Sequence, residues 1–213
     1  MKDQKINLYK KEDYLVDSGY NFICGVDEVG RGPIAGPVTV CALILPNSFR
    51  LKGINDSKQL SEKKRDEYFK IIMKEALAVS VVSKDEKEVD KLNIYEATRQ
   101  AMYEAINLLC TKPDYVLIDA MKMPDLDISH DSIIHGDALS ASIAAASIVA
   151  KVTRDTYMKK MDIKYPNYGF AKHKGYFTKA HREALEKYGP CEIHRKSFAP
   201  VAKFFMNQIK LDI

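Results

Sequence analysis

Two adjacent carboxylates, Asp27 and Glu28, interrupt an apolar run that starts at Phe22, and Gly30-Arg31-Gly32 follows almost at once. Successive strand residues point to opposite faces, so a regular strand would bury one of these acids at high cost. The expected geometry is a strand end where the backbone turns away, leaving both acids facing a polar site. A cation there would offset their repulsion. Two further acids stand where elements change. Asp119 ends the run Tyr115 to Ile118, and Asp137 follows Gly136 at the head of an Ala/Ser-rich segment. Carboxylates from such distant segments can converge at one edge of a sheet. Four oxygen donors without an accompanying Cys/His cluster suit a hard divalent ion, Mg²⁺ or Mn²⁺, rather than zinc. Each acid also has a plainer reading: Asp137 as a helix N-cap or dipole partner, Asp119 as a turn aspartate. Glu12-Asp13 and Asp85-Glu86 lie in hydrophilic segments and read as solvated surface.

Around the acids are residues suited to a polyanion. Gly30-Arg31-Gly32 lets a backbone approach a ligand closely, with Arg31 available for phosphate, although a tight turn alone would look the same. Asn55-Asp56-Ser57-Lys58 precedes a helix, and Lys58 is a candidate phosphate contact. Lys164 to Tyr176 interleaves Lys164, Lys172, His173 and Lys174 with Tyr165, Tyr168, Phe170 and Tyr176. That mixture suits phosphate contacts and ring packing on nucleic acid; the alternative is a loop whose aromatics anchor in the core.

These residues need a scaffold. Phe22 to Val26 and Val38 to Leu45 read as neighbouring antiparallel strands, with further strands at Ala78 to Val82, Tyr115 to Ile118 and Ser132 to Ile134. Helical spacing covers Ser61 to Leu77, with Ser61 as N-cap, and Asn93 to Leu109. A long helix opens near Asp137 or Leu139-Ser140 and ends near Met161. Two more follow, near Thr178 to Tyr188 and Pro200 to Ile209. Strands recurring between helices imply an α/β fold with a mixed sheet. No repeat or linker is present, so residues 1–213 read as one domain, the last ~40 residues forming a possible helical subdomain under domain-size priors.

Composition excludes several classes. The chain has 213 residues and an ordinary 46% hydrophobic and 29% charged content, and its net charge of +4 permits a polyanionic partner without requiring one. Four cysteines without a paired motif argue for a reducing compartment. The polar N-terminus lacks a signal-peptide core, and no apolar stretch reaches the ~18 residues of a membrane span. A cytoplasmic location follows as an expectation.

Taken together, the motifs resemble type 2 ribonuclease H (bacterial ribonuclease HII). The matching blocks are Gly25 to Pro37, Asn55 to Leu60, Ile118-Asp119-Ala120, Gly136-Asp137 with Ser142 to Asp155, and His173 to Thr178. They follow the family's order and span nearly the whole chain. The resemblance implies a ribonuclease H-like mixed sheet flanked by helices, with a C-terminal helical extension. It also implies endonucleolytic cleavage of RNA in RNA–DNA hybrids and 5′ of ribonucleotides embedded in duplex DNA, leaving 3′-hydroxyl and 5′-phosphate ends. The family's metal-binding acids carry onto Asp27, Glu28, Asp119 and Asp137, holding two Mg²⁺ or Mn²⁺ ions. Its reader of the ribose 2′-hydroxyl falls on Gly30, Arg31 and Gly32, and its substrate-sensing tyrosine on Tyr176.

Val29 and Ala120 depart from the family's frequent Ala and Gly, without replacing a functional group. The sister type 3 enzymes usually carry an extra N-terminal domain; only 26 residues precede Asp27, and Gly-Arg-Gly is intact, which favours type 2. A replication sliding clamp is a candidate partner, with Gln208-Ile209 the nearest approach to a clamp-binding peptide, and a monomer is expected. The rival readings are a non-catalytic nucleic-acid-binding domain and a metal-dependent phosphatase.

Overall fold

The computed structural model describes residues 7–54, 57 and 59–209, with side chains to 206 at the C-terminal end; Lys58, Asn55 and Asp56 lie outside the described residues. The chain opens with helix α1 (Lys10–Asp17), strands β1 (Ile23–Val29) and β2 (Val38–Ile44), helix α2 (Glu62–Glu75) and strand β3 (Ala78–Lys84). Helices α3 (Glu86–Leu92) and α4 (Ile94–Asn107) lead to strands β4 (Tyr115–Asp119) and β5 (His130–Ile133). A 3₁₀ turn (Gly136–Ala138) then precedes helices α5 (Ala141–Lys164), α6 (Phe170–His173), α7 (Lys179–Tyr188) and α8 (Ala199–Ile209). Among the described residues, no helix is long and apolar enough to cross a membrane.

The strands form a five-stranded mixed sheet in the order β3-β2-β1-β4-β5. Pairing is parallel between β1 and β4 and between β4 and β5, with Val26 opposite Ile118 and Asp119 opposite Ile133. β2 explains why the sheet is covered on both faces. Val40, Ala42 and Ile44 pack with Ala101, Met102, Ala105 and Ile106 of α4, while Cys41, Leu43 and Leu45 pack with Ile72 of α2 and the alanines of α5. The period of two thus sends alternate side chains into two cores, and the strand reads as a continuous apolar run.

The described residues fall into two compact units. Those up to Val29, with Val40–Val82 and Arg99–Val152, form the first; Gly30–Thr39, Ser83–Thr98 and those from Thr153 onward form the second. The first unit contains the sheet core. Its α5 segment can lie close to β1 because Gly25 has no side chain; a Cβ there would overlap the Ser142 backbone. Glu12, expected on the surface, is instead buried in this unit, where its Oε1 accepts from the Ser140 hydroxyl (2.6 Å) and the Ser142 N–H (2.8 Å). It supplies an acceptor to the Ser142 amide in the first turn of α5, which no helical carbonyl can reach. That role requires a distant segment, so local hydrophilicity concealed it.

The second unit packs Ala35, Met158, Tyr168, Phe170, Ala184 and Ile193 into one core and Ile34, Leu185 and Val201 into another. Its α3 was not anticipated. Asp85 caps that helix by accepting from the N–H groups of Lys87 and Glu88, and Glu86 is buried rather than solvated. The acidic run is a capping box, which satisfies amide donors at a helix start.

Candidate active site

Parallel register brings the first and third acids together. One step beyond the Val26–Ile118 pair are Asp27 on β1 and Asp119 on β4, at the carboxyl ends of adjacent strands. Crevices beyond such strand ends are the usual ligand sites of open α/β sheets. One ligand oxygen each from Asp27, Glu28 and Asp119 all lie within 4.8 Å of one another. β1 runs on through Val29, so the strand does not turn away before the acids as expected; Asp27 is buried and Glu28 half-buried.

Asp27 is held from two sides. Its Oδ1 accepts from the Glu28 N–H at 2.7 Å, and its carboxylate is hydrogen-bonded to the Ser147 side chain of α5. The Ser147 hydroxyl in turn bonds that of Ser57 at 2.8 Å, both groups being buried. Burial first, then the charges of Glu28 and Asp119, push the Asp27 carboxyl well above its ordinary range. Three carboxylates gathered against repulsion and desolvation form a site that a divalent cation would relieve, and an all-oxygen donor set suits a hard ion.

Asp119 is oriented by the segment that carries the fourth acid. Its Oδ1 accepts from the Gly136 N–H at 2.7 Å. Ala120 adopts φ +51°, and the Met121 N–H returns to the Asp119 carbonyl, closing a three-residue turn that ends the strand. Beyond Gly136 the 3₁₀ turn presents Asp137, which is buried. Asp137 therefore lies one residue from an amide bonded to Asp119, although it is not in the tight trio of ligand atoms.

The second unit holds Gly30, Arg31, Gly32 and Tyr176, while Lys58 lies outside the described residues. Gly30 has φ +94°, a conformation that glycine adopts without strain, and Arg31 and Gly32 are exposed. A Cβ on Gly32 would be 3.5 Å from the Tyr176 ring, so these two candidate substrate residues adjoin. Tyr176 is 44% exposed. The basic-aromatic segment divides between its two readings: Tyr168 and Phe170 are stacked in the core and Lys164 pairs with Glu192, leaving Tyr176 at the surface.

Sequence reasoning missed Ser147 as a hydrogen-bond partner of Asp27, and named Ser57 only within the Asn55-Asp56-Ser57-Lys58 cluster. Ser147 lay inside the Ser142 to Asp155 block without a distinguishing signal.

The family model for ribonuclease HII matches residues 24–201, which include all four acids, the Gly-Arg-Gly turn and Tyr176. The chain belongs to the ribonuclease HII family. It is 53% identical over 204 residues to ribonuclease HII of Bacillus subtilis, covering 96% of this chain and 80% of that protein. Its fold is similar to ribonuclease H2 of Pyrococcus horikoshii, with TM-score 0.75 and 27% identity over 89% of this chain and 99% of that one. The archaeal ribonuclease HII in a PCNA complex from Archaeoglobus fulgidus shares the fold at TM-score 0.68 and 24% identity, over 82% and 93% of the two chains. As a member of this family, the protein is a metal-dependent nuclease of the ribonuclease H type.

Proposed function

We propose that this protein cuts the RNA strand of RNA–DNA hybrids and cuts 5′ of single ribonucleotides embedded in duplex DNA. Asp27, Glu28, Asp119 and Asp137 hold two divalent ions, Mg²⁺ or Mn²⁺. The observation that carries this reading is the gathering of Asp27, Glu28 and Asp119 oxygens within 4.8 Å. Such a cluster repels a phosphodiester unless cations intervene, which disfavours a metal-free binding module. When bound, the ions would supply Lewis-acid polarisation of the scissile phosphate and an activated water, leaving 3′-hydroxyl and 5′-phosphate ends.

The chain's own residues do the rest. Ser147 and the Glu28 amide orient Asp27, and the Gly136 amide orients Asp119. The 2′-hydroxyl is the group that tells RNA from DNA, and backbone groups of Gly30 and Gly32 read it, with Arg31 on an adjoining phosphate. Tyr176 packs on the following sugar and favours deoxyribose there, while Lys58 contacts phosphate. We read the two units as one catalytic domain acting as a cytoplasmic monomer. A replication sliding clamp as partner rests on the family resemblance; the side chains of Gln208 and Ile209 lie outside those described.

The test is a duplex with one ribonucleotide, incubated with Mg²⁺ or Mn²⁺. The protein should cut it on the 5′ side of the ribonucleotide and leave the all-DNA duplex intact. Asp27→Asn should reduce the rate by about 10³-fold or more, as loss of a central electrostatic group does. An equally active variant would remove Asp27 from the site, and cutting of all-DNA duplex at a similar rate would remove the 2′-hydroxyl reader.

A further inference from the structure

Two arginines in the second unit are fully buried, Arg154 and Arg195. Their hydrogen bonds end on main-chain carbonyls. Arg195 donates from Nη2 to Gly30 (2.6 Å), from Nη1 to Arg31 (3.0 Å) and Pro33 (2.7 Å), and from Nε to Gly36 (2.9 Å). Its guanidinium therefore occupies the inside of the Gly-Arg-Gly turn. Arg154 donates from Nε to Pro37 (2.8 Å), from Nη2 to Ala35 (3.2 Å) and from Nη1 to Lys174 (2.9 Å). The last bond reaches a different segment, the one that carries Tyr176. Backbone bonds from Ile34 N–H to Gly175 O and from Arg195 N–H to Ile34 O reinforce the seam.

The packing leaves little slack. A Cβ on Gly30 would overlap the Arg154 side chain, and one on Gly175 would overlap the Ala35 carbonyl. Burial lowers the guanidinium of Arg154 to about 10 and that of Arg195 to about 9, so both remain charged at neutral pH. A cation buried on carbonyl dipoles is an expensive way to close a turn if closure is all that is needed. The planar five-donor fork has another consequence: it fixes several acceptors at set spacings, which a lysine ammonium cannot do.

We propose that Arg154 and Arg195 are positioning residues that preset the Gly30–Pro37 turn against the Lys174–Tyr176 segment, and so set the preference for a ribonucleotide followed by deoxyribose over continuous RNA. This rests on the reading of Gly30–Gly32 as ribose reader and Tyr176 as sugar platform. Arg195 shapes the turn by gathering its carbonyls inward. Arg154 fixes the distance from that turn to Tyr176, which is the spacing between two successive sugars.

The experiment compares wild type, Arg154→Lys, Arg195→Lys and Tyr176→Ala on two Mn²⁺-dependent substrates: a DNA duplex with one ribonucleotide, and a hybrid with a continuous RNA strand. The ratio of kcat/KM between them should fall about tenfold in each lysine variant, mainly through KM on the first substrate, as expected for a slightly misplaced platform. Combining Arg154→Lys with Tyr176→Ala should lower the ratio no further than Tyr176→Ala alone. Calorimetric Mn²⁺ binding should be unchanged, since the carboxylates belong to the other unit. A wild-type ratio kept by both folded lysine variants overturns the proposal alone. A wild type without any preference overturns the underlying reading and this proposal with it. If one lysine variant does not fold, the other decides; failure of both to fold overturns the proposal, because the arginines then serve the fold itself.

Discussion

Asp27 is buried, yet its neighbours are two more carboxylates, and burial with those charges raises its pKa well above the ordinary value. A folded-state pKa above the unfolded one means that the group favours folding only at low pH, and that this contribution is lost as pH rises through the folded value. At pH 7, above the unfolded value, and without metal the group therefore works against the fold. Asp27→Asn should raise the metal-free stability at pH 7 by about 1 kcal/mol, measured by urea unfolding in chelator. Saturating Mn²⁺ should stabilise wild type much more than the variant. Ala120 offers a second test at this scale. Its φ of +51° is a conformation that costs an L-residue about 1–2 kcal/mol and glycine little. Ala120→Gly should raise stability by up to about 1 kcal/mol in thermal unfolding, the gain being tempered by glycine's greater unfolded-state freedom.

At the scale of elements, the site depends on how closely α5 approaches β1. Gly25 permits the approach, and Glu12 accepts from the Ser142 amide at the helix start. The approach delivers Ser147 to Asp27. Gly25→Ala should cost about 1–3 kcal/mol of stability, as overpacking does, and should also slow cleavage through loss of the Ser147 contact. Denaturant midpoints and rates on a single-ribonucleotide duplex would check both. A fully active, destabilised variant would show that the helix can shift without disturbing Asp27. Most elements here were legible: the periodicities at Ser61 to Leu77 and Asn93 to Leu109 correspond to α2 and α4, and Ser61 caps α2 by accepting from the Lys64 N–H. α1 and α3 were not, because both are short and charged, and their buried acids Glu12 and Glu86 carry no hydrophobic signal.

At the scale of the whole molecule, the two units differ in what they bury. The first buries the carboxylates of Glu12, Asp27 and Asp137; the second buries Glu86, two arginines and three histidines, His173, His181 and His194. The rings of His173 and His181 stack at 4.3 Å, and His181 Nε2 lies 3.1 Å from His194 Nε2. Burial lowers His181 and His194 to about 4. Unfolded histidines protonate near pH 6.5, so their contribution is complete above that value and is lost as pH falls toward about 4. Urea unfolding between pH 7 and pH 4 should show a steep decline through this window, and His194→Gln should flatten it. A profile unchanged by that substitution would place the acid sensitivity elsewhere.

By itself the sequence offered the chemistry: four candidate acids, a Gly-Arg-Gly run, the tyrosine at position 176 and the order that ties them to ribonuclease HII. These were readable because adjacent acids in an apolar run violate the local rule of burial, and such violations mark function. The tertiary structure decided the rest. Parallel register set Asp27 beside Asp119, 92 residues away in the chain, buried hydroxyls came to lie behind Asp27, and in the second unit a buried guanidinium filled the Gly-Arg-Gly turn. Ser147 and Arg195 were silent in one dimension because a hydrogen-bonding partner chosen by packing leaves no periodicity, spacing or composition to read.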